Sequence, residues 1–305
     1  MAPEDWHRHK RPFAAIAGAP LGWLVLFFLV PMGIVWFYSF GENAGPADIA
    51  ITGTLDNYKR ATEWLYLSIF FKSLAVAALV TGICLVIGFP VAMAITFAPD
   101  KWRPWLLLGV MLPFWTNLLI RTYALMMLLG SNGYANRALG ALWEGASWLR
   151  TLVGMQPLEA WTPVQLLYNN FAVVVGLVYV HLPFMVLPLY SALDRLDRSL
   201  IEASLDLGAG HLRTLTRIVM PLALPGIGAG IMITLIPALG AYLTPDLMGG
   251  TDSQMIANVI ERQFKRANDW PFGAALSFML IYAMFILVAL QSLRGRKAAH
   301  GREAR

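Results

Sequence analysis

Long runs without Asp, Glu, Lys or Arg alternate with shorter polar segments along the chain, and six runs reach the roughly 20 residues that a helix needs to cross the hydrocarbon core of a bilayer. They extend from Phe13 to Phe40, Ser73 to Pro99, Trp105 to Leu129 with Arg121 as an interruption, Phe171 to Leu193, Ile218 to Pro245, and Trp270 to Leu293. The pattern predicts an all-α integral membrane protein with six transmembrane helices. The first run is much longer than the roughly 7 to 15 apolar residues of a signal-peptide core, so it reads as an anchor that is retained.

Two loops between the runs are informative. The segment from Gly130 to Asn170 mixes Gly, Trp and charged residues, and at that length short helices are expected in it rather than disorder. The segment from Asp246 to Asp269 contains Met255 to Phe264, an amphipathic stretch expected to lie at the outer surface. Prolines fall inside the runs at Pro31, Pro90, Pro113, Pro183, Pro188, Pro221, Pro225 and Pro237. Each removes a helix hydrogen bond, which suits a protein that moves, although membrane helices in general carry more Pro than soluble ones.

Composition agrees with the pattern. The chain is 58% hydrophobic and 13% charged with a mean hydropathy of +0.59, too apolar for a soluble globule. The net charge of +5 could suggest a nucleic-acid partner, but the Lys and Arg sit between apolar runs, so the charge is topological and no nucleic acid is expected. Basic residues near span ends stay cytoplasmic. With an inner amino terminus, the inner segments hold Arg8, Lys10, Arg11, Lys101, Arg103, Arg195, Arg198, Arg213, Arg217, Arg294, Arg296, Lys297, Arg302 and Arg305, a majority of the 23 basic residues. Both termini are therefore expected inside: a cytoplasmic tail over 1–12, the membrane domain over 13–293 and a second tail over 294–305. Arg262, Lys265 and Arg266 in an outer loop run against the rule. Cys84 stands alone in an apolar run, and the five histidines, at 7, 9, 181, 211 and 300, show no metal-ligand spacing, so no metal site is expected.

The inner loop at 194–217 is the most patterned polar stretch. Ser199 followed by Glu202 fits a capping box, which predicts a short helix that runs through Leu207 and stops at Gly208. Ile201, Ser204, Leu205 and Gly208 share one face, and Glu202 and Asp206 lie one turn apart on another. Two carboxylates at that spacing disfavour an isolated helix, and a partner offering basic groups would remove the penalty.

Glu202-Ala203-Ser204, three residues, Gly208, nine residues, Ile218, one residue and Met220-Pro221 together resemble the EAA loop of ATP-binding-cassette importer permeases, with Ser204 in place of the second Ala and Met220 in place of Leu. The resemblance implies a type I importer permease (MetI-like) architecture, multi-pass in a bacterial inner membrane. It also implies that Glu202, Ala203, Ser204, Asp206 and Gly208 make or shape the surface that docks on a cytosolic ATPase dimer. Partners would be that ATPase, a second homologous permease subunit forming a heterodimer, a periplasmic or lipid-anchored solute-binding protein, and membrane lipids. The chain has no Gly-x-x-x-x-Gly-Lys-Ser/Thr phosphate loop. It is thus expected to be no enzyme itself and to hold no cofactor, the ATP-Mg being bound by the ATPase.

Leu112 to Tyr123, Asn132 to Asn136, Ile236 to Gly250 and Asn268 to Gly273 are similar to the first permease subunit of spermidine/putrescine importers, which implies a polyamine cargo; relatives that carry 2-aminoethylphosphonate share much of the pattern. Ala241 stands where many polyamine permeases have an acidic residue, and none of the six runs contains Asp or Glu. Candidates for the substrate path are therefore the aromatics Trp115, Tyr123 and Tyr242 together with Asn117 and Asp246. Arg121 would repel a cation, so it reads as structural, pairing with Asp246, Glu144 or backbone carbonyls; direct contact would fit an anionic cargo. His181 reads as a packing residue. A self-contained secondary transporter would need a carboxylate or proton relay within the membrane, and a membrane enzyme would need clustered His, Glu or Asp; neither pattern occurs.

Overall fold

The computed structural model describes residues 18–45, 48–156 and 158–303, with side chains described as far as Gln291. The expected inner residues Arg8, Lys10 and Arg11, the start of the first run and Arg305 lie outside the described residues, as do the side chains of Arg294, Arg296, Lys297 and Arg302. Five helices are long and apolar enough to span a bilayer, or six if one bent pair counts as a span. They are α1 (Gly18–Tyr38), α3 (Trp64–Phe97), α7 (Asn170–Asp194), α9 (His211–Leu239) and α12 (Trp270–Gln291), with α4 (Arg103–Trp115) and its continuation from Leu118 forming the bent pair. Shorter elements are β1 (Glu42–Asn43), β2 (Ile49–Ala50), α2 (Asp56–Ala61), α5 (Leu118–Leu129), α6 (Tyr134–Leu152), α8 (Arg198–Asp206), α10 (Leu243–Met248) and α11 (Ile256–Lys265).

Several expected boundaries move. α3 starts at Trp64, nine residues before Ser73, and so includes Lys72; at 1.5 Å per residue its 34 residues are about 51 Å long, more than a bilayer core, and the polar end projects out of it. α9 ends at Leu239 rather than Pro245, and α12 continues past Leu293 to Glu303. The expected short helices of the 130–170 loop are one helix, α6, of 19 residues. The third span is not straight: its two parts meet at 95°. Thr116 and Asn117 leave the helical region (ψ 149° and 135°), and the Asn117 side chain caps α5 by accepting from Leu119 N–H at 2.8 Å. Prolines act locally as well. In α1 and α9 a π turn (Val25–Leu29, Leu215–Val219) ends two residues before Pro31 and Pro221, where the ring cannot donate and crowds the carbonyl four residues back.

Internal contacts group the chain into two units, 1–67 with 260–283 and 68–259 with 284–305. In the first, the β1–β2 hairpin and α2 are tied to the start of α12. Arg60 pairs with Asp269 at 2.8 Å and lies 3.9 Å over the Phe272 ring, Asn43 donates to Asn268 O at 3.2 Å, and Trp36 donates from Nε1 to Tyr282 Oη at 2.9 Å.

In the second unit, small residues let helices approach closely. α3 buries Ala77, Thr81, Cys84, Gly88 and Ala92 at helical spacing, and α9 buries Ala223, Gly226, Gly230 and Thr234. In lipid such stripes replace the hydrophobic drive that water would provide. A Cβ on Gly226 would strike Ala192 Cβ and lie 2.9 Å from Pro188 O, both on α7; one on Gly88 would lie 3.1 Å from Met185 Cγ, also on α7. α7 is therefore the central post. The amphipathic segment is not laid on the surface as expected: Met255 and Ile256 to Val259 are buried, because Ile256 N–H donates to Ser73 Oγ at 2.7 Å and Asn258 Nδ2 to Tyr242 O at 2.8 Å.

Gly226→Leu is expected to lower the melting temperature of the detergent-solubilised protein through overpacking of about 1–3 kcal/mol; Gly82→Ala, where a Cβ meets nothing within 4 Å, leaves it unchanged. Ser73→Ala is expected to strand the Ile256 amide at a cost of about 1–3 kcal/mol, read as faster hydrogen exchange at α11.

Coupling loop and candidate substrate path

α8 is built by its caps. The expected capping box is not what starts it: Asp197, two residues earlier than Ser199, is the N-cap, and its carboxylate accepts from Ser199 N–H at 3.0 Å. A carboxylate serves this position as well as a hydroxyl and also meets the positive end of the helix dipole. The hydrogen bonds from Ser199 hold the Asp197 carboxyl below its usual pKa. At the other end Gly208 has φ +80°, with its N–H on Leu205 O at 2.9 Å and Ala209 N–H on Ser204 O at 3.1 Å. This is a Schellman ending, and it requires the positive φ that glycine adopts without strain.

The faces separate as follows. Glu202, Ala203, Asp206 and Gly208 are exposed together. Ser204 does not join them. It is buried and hydrogen-bonded at 2.9 Å to Thr214 Oγ1 in the first turn of α9, so it is an internal tether rather than a docking contact. Of the residues expected to share one face, Ile201 is half-buried and Ser204 buried, whereas Leu205 and Gly208 are exposed. Leu207 (88% exposed) and Leu212 (78%) stand out into solvent on either side of Gly208. Sequence reasoning passed over both, although two leucines off the inward face of a polar loop are a signal for a partner.

The path candidates are spread along the opposite ends of the helices. Trp115, the last residue of α4, is 70% exposed, and Tyr123 on α5 is exposed beside Ile120 and Met127, which the sequence did not single out. α5 turns Thr122 and Leu129 inward. Asn117 is occupied as the α5 cap. Tyr242 precedes α10 and Asp246 lies in its first turn, both exposed, and α10 packs on α5.

Arg121 is 7% exposed, and Nη2 donates to Thr116 O at 2.8 Å and Phe114 O at 3.2 Å, the backbone-carbonyl alternative among its expected partners. It thereby satisfies carbonyls freed where the third span breaks. His181 is buried, with Nδ1 2.7 Å from Leu177 O one turn earlier. A groove of about 680 Å³ between α3 and α7 is lined by apolar side chains such as Leu79, Ile83, Val174 and Leu182, and none of the path candidates reaches it. Trp115 and Tyr123 are instead exposed at the surface of α4 and α5.

Residues 48–298 match the model of a family described as the binding-protein-dependent transport system inner membrane component. The chain is 42% identical over 268 residues to the spermidine/putrescine transport system permease protein PotB of Escherichia coli (strain K12), covering 88% of this chain and 92% of that protein. With the protein of the same description from Salmonella typhimurium (strain SL1344) it shares 41% over 270 residues, 88% of this chain and 89% of the other. The fold is similar to that in a crystal structure of a bacterial alginate ABC transporter in complex with a pentasaccharide-bound periplasmic protein, with TM-score 0.62, 15% identity and 97% of both chains covered. Helices packed through small residues and an exposed, capped short helix thus accompany a match over most of the sequence, and the chain belongs to the family of binding-protein-dependent transport system inner membrane components.

Proposed function

We propose that this chain is a polyamine-carrying permease subunit of an ATP-driven importer, and that it takes energy from a separate ATPase through the loop at 194–217. Identity of 41% and 42% over 88% of the chain to permeases named for spermidine and putrescine transport carries this reading. The exposed face of Glu202, Ala203 and Asp206, bounded by Leu207 and Leu212, offers the ATPase two carboxylates and two apolar knobs. ATP-Mg is bound by the ATPase and not by this chain. Closure of the ATPase pair displaces α8 and opens the path outward.

A polyamine carries several ammonium groups, and desolvating each without a partner costs several kcal/mol. Trp115, Tyr123 and Tyr242 supply aromatic faces for them, and Asp246 a carboxylate. Trp115 and Tyr123 are exposed, which leaves them available to a companion permease that completes the path in a heterodimer, with the binding protein delivering cargo from outside and both termini in the cytoplasm. Arg121, engaged with two carbonyls, does not confront the cargo.

In a strain lacking its own importer, the chain with its companion subunits is expected to restore spermidine and putrescine uptake; uptake of 2-aminoethylphosphonate in their place overturns the cargo. Glu202→Ala combined with Gly208→Asp is expected to reduce uptake at least tenfold at unchanged membrane level, with loss of copurifying ATPase; full uptake overturns the coupling role. Asp197→Ala is expected to weaken the first turn of α8, seen as faster exchange of the Ser199 amide, while Asp197→Asn keeps the cap. Because the Asp197 pKa is lowered in the fold, its stabilisation is complete above the usual carboxylate range near pH 4 and fades as pH falls through the lowered value. Protection of that amide should follow the same course.

A further inference from the structure

The last carbonyls of α3, the second span, have no partner within their own helix, and two arginines from other segments satisfy them. Arg198 donates from Nη2 to Thr96 O at 3.2 Å, with its guanidinium carbon 5.9 Å from the centroid of the Phe97 ring. Arg103 donates from Nε to Ala98 O at 3.1 Å, and its Nη1 lies 3.3 Å from Asp100 and 3.6 Å from Asp194, the last residue of α7. Both cations sit at the negative end of the α3 dipole, where they are favoured.

Arg198 is also the first residue of α8. A cation at a helix start opposes the dipole of its own helix, and acidic residues are preferred there. A residue that breaks a local rule in this way has a tertiary reason, and the end of α3 provides one. α8 is joined to α7 through 195–197 and to α9 through 207–210, reinforced by the Ser204–Thr214 hydroxyl pair. Its connection to α3 is noncovalent and runs through Arg198.

We propose that Arg198 is a positioning residue that fastens the coupling helix to the second span, so that displacement of α8 carries the end of α3 along with α7 and α9. Arg103 is the fixed half of the clasp, holding Ala98 to Asp194 without involving α8. The proposal rests on the reading of the 194–217 loop as the ATPase-docking element, and it adds a third span to the two that the loop joins covalently.

The test uses the full complex, the chain with its ATPase, companion permease and binding protein, reconstituted in liposomes with spermidine as probe. ATP hydrolysed per spermidine imported is measured together with ATPase copurification and melting temperature. R198A is expected to raise the ATP cost per spermidine about tenfold, the scale of losing one charge-assisted hydrogen bond, with copurification unchanged and at most a small drop in melting temperature. R198K, which keeps a donor near Thr96 O, recovers most of the coupling. If R198A lowers the melting temperature, R198Q, closer in length, is compared in its place with the same expectation. A wild-type ratio in R198A and R198Q overturns the proposal. So does loss of the ATPase from the R198A complex, which would place Arg198 on the docking surface itself. Failure of the underlying reading is separate, because it appears as full ATPase binding and uptake in Glu202→Ala with Gly208→Asp.

Discussion

Where water is absent, each backbone N–H and C=O must find a partner in the protein, because an unpaired one costs several kcal/mol. That constraint governs every interruption in these helices. At the break in the third span, Asn117 caps the start of α5 and Arg121 takes the carbonyls of Phe114 and Thr116. Ahead of Pro31 and Pro221, a π turn absorbs the crowding and the helix continues. At the end of α9, Asn258 takes the Tyr242 carbonyl and Ser73 the Ile256 amide, which draws the amphipathic segment inward. The break in the third span and the end of α9 are thus held by assigned side chains, and the proline sites by a change of helical turn.

The same economy of space sets helix packing. Lipid offers apolar side chains no less than a neighbouring helix does, so close association depends on backbone approach at small residues. Gly88 and Gly226 let α3 and α9 close onto α7, against the Met185 side chain in the first case and Ala192 Cβ with the Pro188 carbonyl in the second. α7 holds two prolines, Pro183 and Pro188, at this level. A rigid contact zone beside Pro-weakened helix segments suits spans that pivot as bodies instead of deforming throughout.

The loop at 194–217 joins these two themes. Its helix is short, nine residues, and helices of that length are marginal alone. Asp197, the Schellman ending at Gly208, the Ser204–Thr214 pair and Arg198 together fix a helix that propensity would not hold. Its exposed carboxylates and leucines are then free for a partner, because none of them is needed to keep the helix folded.

By itself the sequence determined the approximate positions of the apolar spans, the short helix of the 194–217 loop that ends at Gly208, and the family, because span length, apolarity and the EAA spacing are local properties of the chain. The choice of Asp197 over the Ser199 box was not within its reach, since both residues are competent caps and only the backbone path chooses between them. What the tertiary structure decided depends on which residues the folded backbone brings together. The 95° break needed Arg121 to fold back on Phe114 and Thr116; the burial of Met255 to Val259 needed Ser73 and Tyr242; the inward turn of Ser204 needed Thr214. An amphipathic helix shows that it has an apolar face, and only the neighbours it meets decide whether lipid, solvent or protein covers it.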